Sequence, residues 1–170
     1  MATTKKMELF SQQLKSLWVI ESILVEWMPE MIEKAETPGL KQILAFHFAE
    51  TRQHKVAIEA ICKQLEFYPS LGGYNEDINK ILNDAEKKMN TGNATDKINS
   101  IIISSAIKIE EYEMMVYEQT AKLARELGFA GISKRLFLTF EEERQSFTKL
   151  KFLESQLVNE RAAIGQHTVH

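Results

Sequence analysis

Apolar residues return at alternating three- and four-residue steps through four long stretches of the chain, and in each stretch the stripe turns polar partway along. In the first, Lys6 to Lys34, the stripe is Leu14, Leu17, Glu21, Leu24, Met28 and Met31, which is one buried helix face with a single charged member. Pro29 lies within this stretch and predicts a bend, because its ring clashes with the carbonyl four residues back. In the second, Leu40 and Leu44 lead to His47, Thr51 and His54, with Glu50 beside them, before Ile58, Ile61 and Leu65 restore the apolar face. The third, Asp96 to Leu127, carries Ile103, Ala106, Glu110, Glu113, Tyr117, Thr120, Ala124 and Leu127. The fourth, Ile132 to Asn159, carries Leu136, Phe140, Glu143, Phe147 and Leu150, with Glu142 alongside.

The breaks between these stretches predict the topology. Thr37 suits a helix N-cap and Pro38 the first helical turn, so the first two helices are joined tightly and pack as antiparallel neighbours. The second helix is expected to run to about Phe67 and to end at Pro69–Gly73. A shorter amphipathic helix follows over about Asn75 to Met89, then a loop from Asn90 to Thr95. Gly128 to Gly131 forms a second tight turn. Hairpin, crossover, hairpin is the connectivity of an all-α, ferritin-like four-helix bundle whose long crossover carries an extra short helix. The chain reads as a single domain over residues 1–170, with the bundle over about 6–160 and a frayed tail over 161–170.

Composition agrees with this and removes other classes. A chain of 170 residues can bury a real core, and 44% hydrophobic with 26% charged residues is ordinary for a soluble globular protein. A net charge of −3 with interspersed signs points to neither nucleic acid nor an acidic membrane surface as a partner. No apolar run approaches the ~18 residues of a membrane span, and no signal peptide is recognisable, which suits a cytoplasmic protein. Cys62 is the one cysteine, so neither an intramolecular disulfide nor a cysteine zinc cluster can form, and its place beside the second stripe reads as a packed thiol.

The chemistry sits where the stripes turn polar. Glu50-Thr-Arg-Gln-His54 can be laid on Glu142-Glu-Arg-Gln-Ser146, and Glu21 precedes Glu50 by the same interval as Glu113 precedes Glu142. Two hairpins related by a pseudo-twofold axis would bring these carboxylates around one centre. His47 and Glu50, Glu50 and His54, and Glu110 and Glu113 are each one helical turn apart and project to one side. Adjacent buried carboxylates cannot all stay ionised, and two divalent cations would relieve their repulsion. Carboxylate oxygen with imidazole nitrogen suits iron, manganese or zinc. The plainer reading is that each glutamate alone is a snorkelling flank residue and each histidine a satisfied core group. What favours a site is that all four helices break their pattern near mid-length. Tyr112 and Tyr117 lie close enough to donate hydrogen bonds to it, or simply to pack.

Leu14-Lys-Ser-Leu17-Trp-Val-Ile-Glu21, Met28-Pro29-Glu-Met31, His47-Phe-Ala-Glu50-Thr51, Ile109-Glu110-Glu-Tyr112-Glu113 and Thr139-Phe-Glu-Glu142-Glu143, in this order and spacing, resemble the YciE/YciF family of bacterial ferritin-like proteins. The resemblance covers roughly Phe10 to Leu153. It implies a bundle related in fold to rubrerythrin and manganese catalase, often dimeric, with a dinuclear metal site and a link to stress responses, but no settled reaction. Glu111 stands where the family pattern has a histidine, Ala49 where it has a second acid, and His54 where it has glutamine.

The expected ligands of two iron or manganese ions, with zinc as a third choice, are therefore Glu21, Glu50, His54, Glu110, Glu113 and Glu142. His47, Glu143 and Tyr117 are supporting or alternative groups. Such a site would react with peroxide or dioxygen in a homodimeric protein. The alternative is a non-enzymatic helical-bundle dimer whose polar cluster sets packing register, with metal binding lost.

Overall fold

The computed structural model describes residues 2–69, 74–91 and 95–167. Five helices follow in order: α1 (Ala2–Lys34), α2 (Pro38–Gln64), α3 (Glu76–Thr91), α4 (Thr95–Glu126) and α5 (Ala130–His167). The hairpins α1–α2 and α4–α5 each pack internally, α1 lies against α4 and α2 against α5, and α3 lies on α4. This is the expected four-helix bundle with a helix-bearing crossover. Thr51 Oγ1 donates to Met28 Sδ at 3.6 Å and His54 approaches Glu21 across the first hairpin, while on the other side His47 faces Ser146 and His54 faces Glu142, so α2 runs antiparallel to both α1 and α5.

Sequence chemistry explains the helix ends, with some departures from expectation. Thr37 occupies the N-cap of α2 with Pro38 behind it, but its side chain makes no capping hydrogen bond. The α1–α2 turn is instead fastened by the Glu36 amide, which donates to the buried Asn99 carbonyl on α4 at 2.9 Å. Asn75 caps α3 by accepting the Ile78 amide at 3.0 Å. Gly128, at φ 84°, closes α4 in a Schellman turn: the Phe129 amide reaches the Ala124 carbonyl at 2.9 Å and the Gly128 amide reaches Arg125 at 3.0 Å. The same pair of bonds closes α2, where Phe67 reaches Cys62 and Glu66 reaches Lys63, with Glu66 at φ 60°. That left-handed turn ends α2 at Gln64 rather than near Phe67. A glutamate in the glycine position gave the sequence no stop signal.

At its other end α5 continues to His167, so the expected tail is largely helical; residues 168–170 lie outside the described residues. The expected loop residues 70–73 and 92–94 lie outside them as well. Pro29 sits inside α1.

The core has two apolar bodies. One gathers Phe10, Leu14, Leu17, Ile58, Ala124 and Leu136 with their neighbours. The other gathers Met31, Leu40, Leu44, Ile102, Ile103 and Leu150. Cys62 is fully buried in the first, as a packed thiol. Between the two bodies, the polar members of all four stripes meet.

Candidate metal centre

Every bundle helix contributes a buried polar group at this level. Glu21 comes from α1, His47, Thr51 and His54 from α2, Glu110, Glu113, Tyr117 and Thr120 from α4, and Thr139, Glu143 and Ser146 from α5. The buried line on α5 is Ile132, Leu136, Thr139, Glu143, Ser146 and Leu150, while Phe140 and Phe147, expected on that face, flank it half-buried. The proposed repeat register holds in burial: Leu44, His47, Thr51 and His54 are buried, as are Leu136, Thr139, Glu143 and Ser146.

The contacts are specific. His54 Nδ1 stands 2.9 Å from Glu143 Oε1 and 3.7 Å from Glu21 Oε1, and its Nε2 lies 2.8 Å from Glu142 Oε2. His47 Nε2 lies 3.3 Å from Glu110 Oε1, its Nδ1 lies 3.2 Å from Ser146 Oγ, and the same nitrogen is 3.8 Å from Glu143 Oε2. Tyr117 donates its phenolic hydrogen to Glu21. Tyr112 is turned away and accepts a hydrogen bond from Asn75 Nδ2 at 3.2 Å.

Burial and charge set the protonation. Burial pushes the Glu21 carboxyl up to about 8, against the opposing charge of His54. It also raises Glu110 and Glu113 well above the ordinary carboxylate range, with the Glu143 charge adding to the effect. Burial would lower His54, but its 2.9 Å contact with Glu143 and the charges of Glu143 and Glu21 prevail and push it up to about 10. Burial would likewise raise Glu143, and His54 and His47 outweigh it and hold the group below its ordinary value. His47 is lowered by burial. Burial and the neighbouring Glu21 carry Tyr117 well upward. The metal-free cluster therefore keeps one ion pair, His54 with Glu143, and protonates other acids around it.

Several acceptors are left over. Among the described residues, both oxygens of Glu113 and of Glu143, and Oε2 of Glu21, Glu50 and Glu110, are buried without a hydrogen-bond partner. Buried polar atoms are rarely left so, because each forfeits its hydration. One donor atom from each of His47, Glu110, Glu113 and Glu143 lies within 4.8 Å of the others, and Glu21, His54 and Glu143 form a second such group. Glu143 belongs to both.

Glu50 and Glu142, singled out by the repeat, lie outside these two groups. Glu50 is half-buried on the edge of α2, where burial raises its carboxyl and Lys149 opposes the rise. Glu142 is exposed, with 48% of its side chain open, and meets the cluster through His54. Ser146, which orients His47, was read only as the counterpart of His54. Its seven-residue separation from Thr139 on the same face was the available signal.

The family profile described as "Domain of unknown function (DUF892)" matches residues 5–163. The protein YciF of Escherichia coli K12 is 26% identical over 165 residues, which cover 91% of this chain and 93% of that protein. Among solved structures, YcfI from Rhodopseudomonas palustris, described as a candidate structural protein, is 26% identical, with a TM-score of 0.81 over 86% of this chain and 92% of that one. The E. coli stress protein YciF superposes with a TM-score of 0.84 at 22% identity, covering 91% of this chain and 97% of that one, a likeness of fold.

Proposed function

The chain belongs to the DUF892 family, and on that premise we propose that it is a ferritin-like carboxylate protein holding two divalent iron or manganese ions in its core. The observation that carries this reading is the position of Glu143, shared between two donor groups. Its carboxylate would belong to the donor sets of both ions. His47, Glu110 and Glu113 would complete one set, and Glu21 and His54 the other. The mixed oxygen and nitrogen donors fit borderline divalent metals, and the unpartnered oxygens of Glu113, Glu110 and Glu21 fit a cation. Glu50 and Glu142 would serve at the mouth of the site between α2 and α5. Ser146 would hold the His47 ring, and Tyr117 would fix the Glu21 carboxylate.

When bound, a redox-active pair supplies electron transfer toward peroxide or dioxygen. The chain's own residues exclude water with the two apolar bodies and release protons from Glu21, Glu110 and Glu113 as the cations enter. A role in stress protection and a homodimeric state accord with this reading. Metal analysis of protein purified without chelator and loaded anaerobically with ferrous or manganous ions tests it. The expected result is about two equivalents per chain, and less than about a tenth of an equivalent would overturn it.

A second reading has its own observation. The His54–Glu143, His47–Ser146 and Tyr117–Glu21 contacts join protein groups on different helices and would set helix register in a structural dimer. Failure to load metal, with cooperative unfolding and a dimeric mass retained, would favour it.

A further inference from the structure

Beside the polar cluster lies a small cavity reached by all four bundle helices. It offers about 20 Å³ of room for the centre of a water-sized sphere, above the ~10–15 Å³ that one water needs. Carbon dominates its walls: Leu24 and Met28 from α1, Leu44 from α2, Ala106 and Ile109 from α4, and Leu150 from α5. Ile43 and Trp27 complete the wall, and beside the Trp27 indole its polar-bearing residues are His47, Glu110 and Ser146.

Those polar groups are engaged with one another. His47 lies 3.2 Å from Ser146 Oγ through Nδ1 and 3.3 Å from Glu110 Oε1 through Nε2. The Glu110 Oε2 atom is the acceptor left over. An internal water needs roughly two to four polar partners, and a space whose exposed lining is almost wholly carbon holds water poorly. Hydrogen peroxide, with two donors and two acceptors, is disfavoured for the same reason. A small uncharged molecule with no strong hydrogen-bonding groups loses little on leaving water and gains dispersion contacts with the lining.

We propose that this cavity is a binding chamber for a diatomic apolar gas, and that dioxygen rather than peroxide is the oxidant delivered to the cluster. This rests on the dinuclear reading for its chemical meaning, though the cavity's affinity for apolar gas does not. The chamber touches His47 and Glu110, which belong to the donor group His47–Glu110–Glu113–Glu143, and does not touch Glu21 or His54. Gas therefore arrives on one side of the cluster, through an apolar space distinct from the polar α2–α5 edge where Glu142 is exposed.

The test begins with the metal-free protein, using xenon as the probe. Crystals held under xenon should show one atom against Leu24, Met28 and Ile109. Ala106→Leu, which pushes a side chain into the cavity without replacing a candidate ligand, should remove it; Ala106→Val serves if the larger residue prevents folding. An empty cavity, or an ordered water with two or more partners there, overturns the proposal, as does xenon binding unchanged by filling Ala106. Metal counting on the same preparations is a separate readout. Loss of metal from the wild type would sink the dinuclear reading and leave the xenon result standing. In ferrous-loaded protein, Ala106→Leu should slow oxidation by dioxygen roughly tenfold while leaving oxidation by hydrogen peroxide within about twofold. Equal effects on both oxidants, or none on either, would overturn the assignment of dioxygen.

Discussion

Glu143 Oε1 stands 2.9 Å from His54 Nδ1, with side-chain exposures of 1% and 4%, so the centre of the bundle holds an ion pair almost wholly withdrawn from water. Removing Glu143 leaves the buried imidazolium with only the solvent-screened Glu142 and Glu21 at 3.7 Å as partners. Glu143→Ala should therefore lower the stability of the metal-free protein by roughly 3–5 kcal/mol, measured by denaturant unfolding in chelator. The adjacent Glu142 also meets His54, at 2.8 Å, but its side chain is 48% exposed and the contact is screened. Glu142→Gln should cost less than about 1 kcal/mol and should retain metal that Glu143→Gln loses. Equal losses of metal in the two variants would mean that the cluster is not centred on Glu143.

The protonation pattern sets a pH dependence for the metal-free protein. A carboxyl whose folded value exceeds its unfolded one keeps a proton that the unfolded chain has given up. Its contribution is complete below the unfolded value and is lost as pH climbs through the folded one. For Glu21 that window runs from 4.5 to about 8, and Glu110 and Glu113 act in the same sense. His54 contributes fully below 6.5 and loses its contribution as pH rises through about 10. His47 opposes them only below 6.5, where the unfolded chain gains a proton that the buried ring declines. Melting temperature in chelator should therefore fall between about pH 6.5 and about pH 8.5. Metal affinity should rise across the same interval, because each entering cation displaces protons. A flat or rising melting curve in chelator would contradict the assignment.

Glu113 separates stability from function. It is fully buried, and neither of its oxygens has a hydrogen-bond partner. Glu113→Met replaces an unsatisfied acid with an apolar side chain of similar length. It should stabilise the metal-free protein by about 1–3 kcal/mol and sharply reduce metal capacity. Destabilisation by this variant would show that the acid has a structural partner, and a full metal load would show that it is not a ligand.

Tyr117 is argued to position Glu21 through its hydroxyl. Tyr117→Phe keeps the packed ring and leaves that carboxyl without a donor. The expected cost is about 1–3 kcal/mol, with the Glu21 value moving further upward. Carbon-13 NMR of the glutamate carboxyls through a pH titration would report the movement; no change in Glu21 would refute the positioning role.

The sequence alone determined which face of each long helix is buried. Leu14, Leu17, Glu21, Leu24, Met28 and Met31 share a face because successive three- and four-residue steps return to the same side of a helix, whatever it packs against. The same rule placed His47, His54, Glu110, Glu113 and Glu143 inside, and the breaks at Thr37–Gly39 and Gly128–Gly131 supplied the two hairpins. Where local chemistry was unusual, as with Glu66 in a left-handed turn, the boundary was not legible.

Only the tertiary structure decided which polar groups meet. Neighbouring residues on a helix point about 100° apart, so Glu142 and Glu143 cannot both face the centre; the stripe favours Glu143 and the repeat favours Glu142, and packing on α2 and α4 settles which of the two meets the other helices. The repeat aligned Glu142 with Glu50, and both fell on an edge. Glu143, aligned with Thr51, reached the centre and both histidines. The pairing of His47 with Ser146 and of His54 with Glu143 depends on how far α2 and α5 are shifted along each other. No spacing within one helix encodes that shift. It is fixed by the close packing of the apolar bodies on either side.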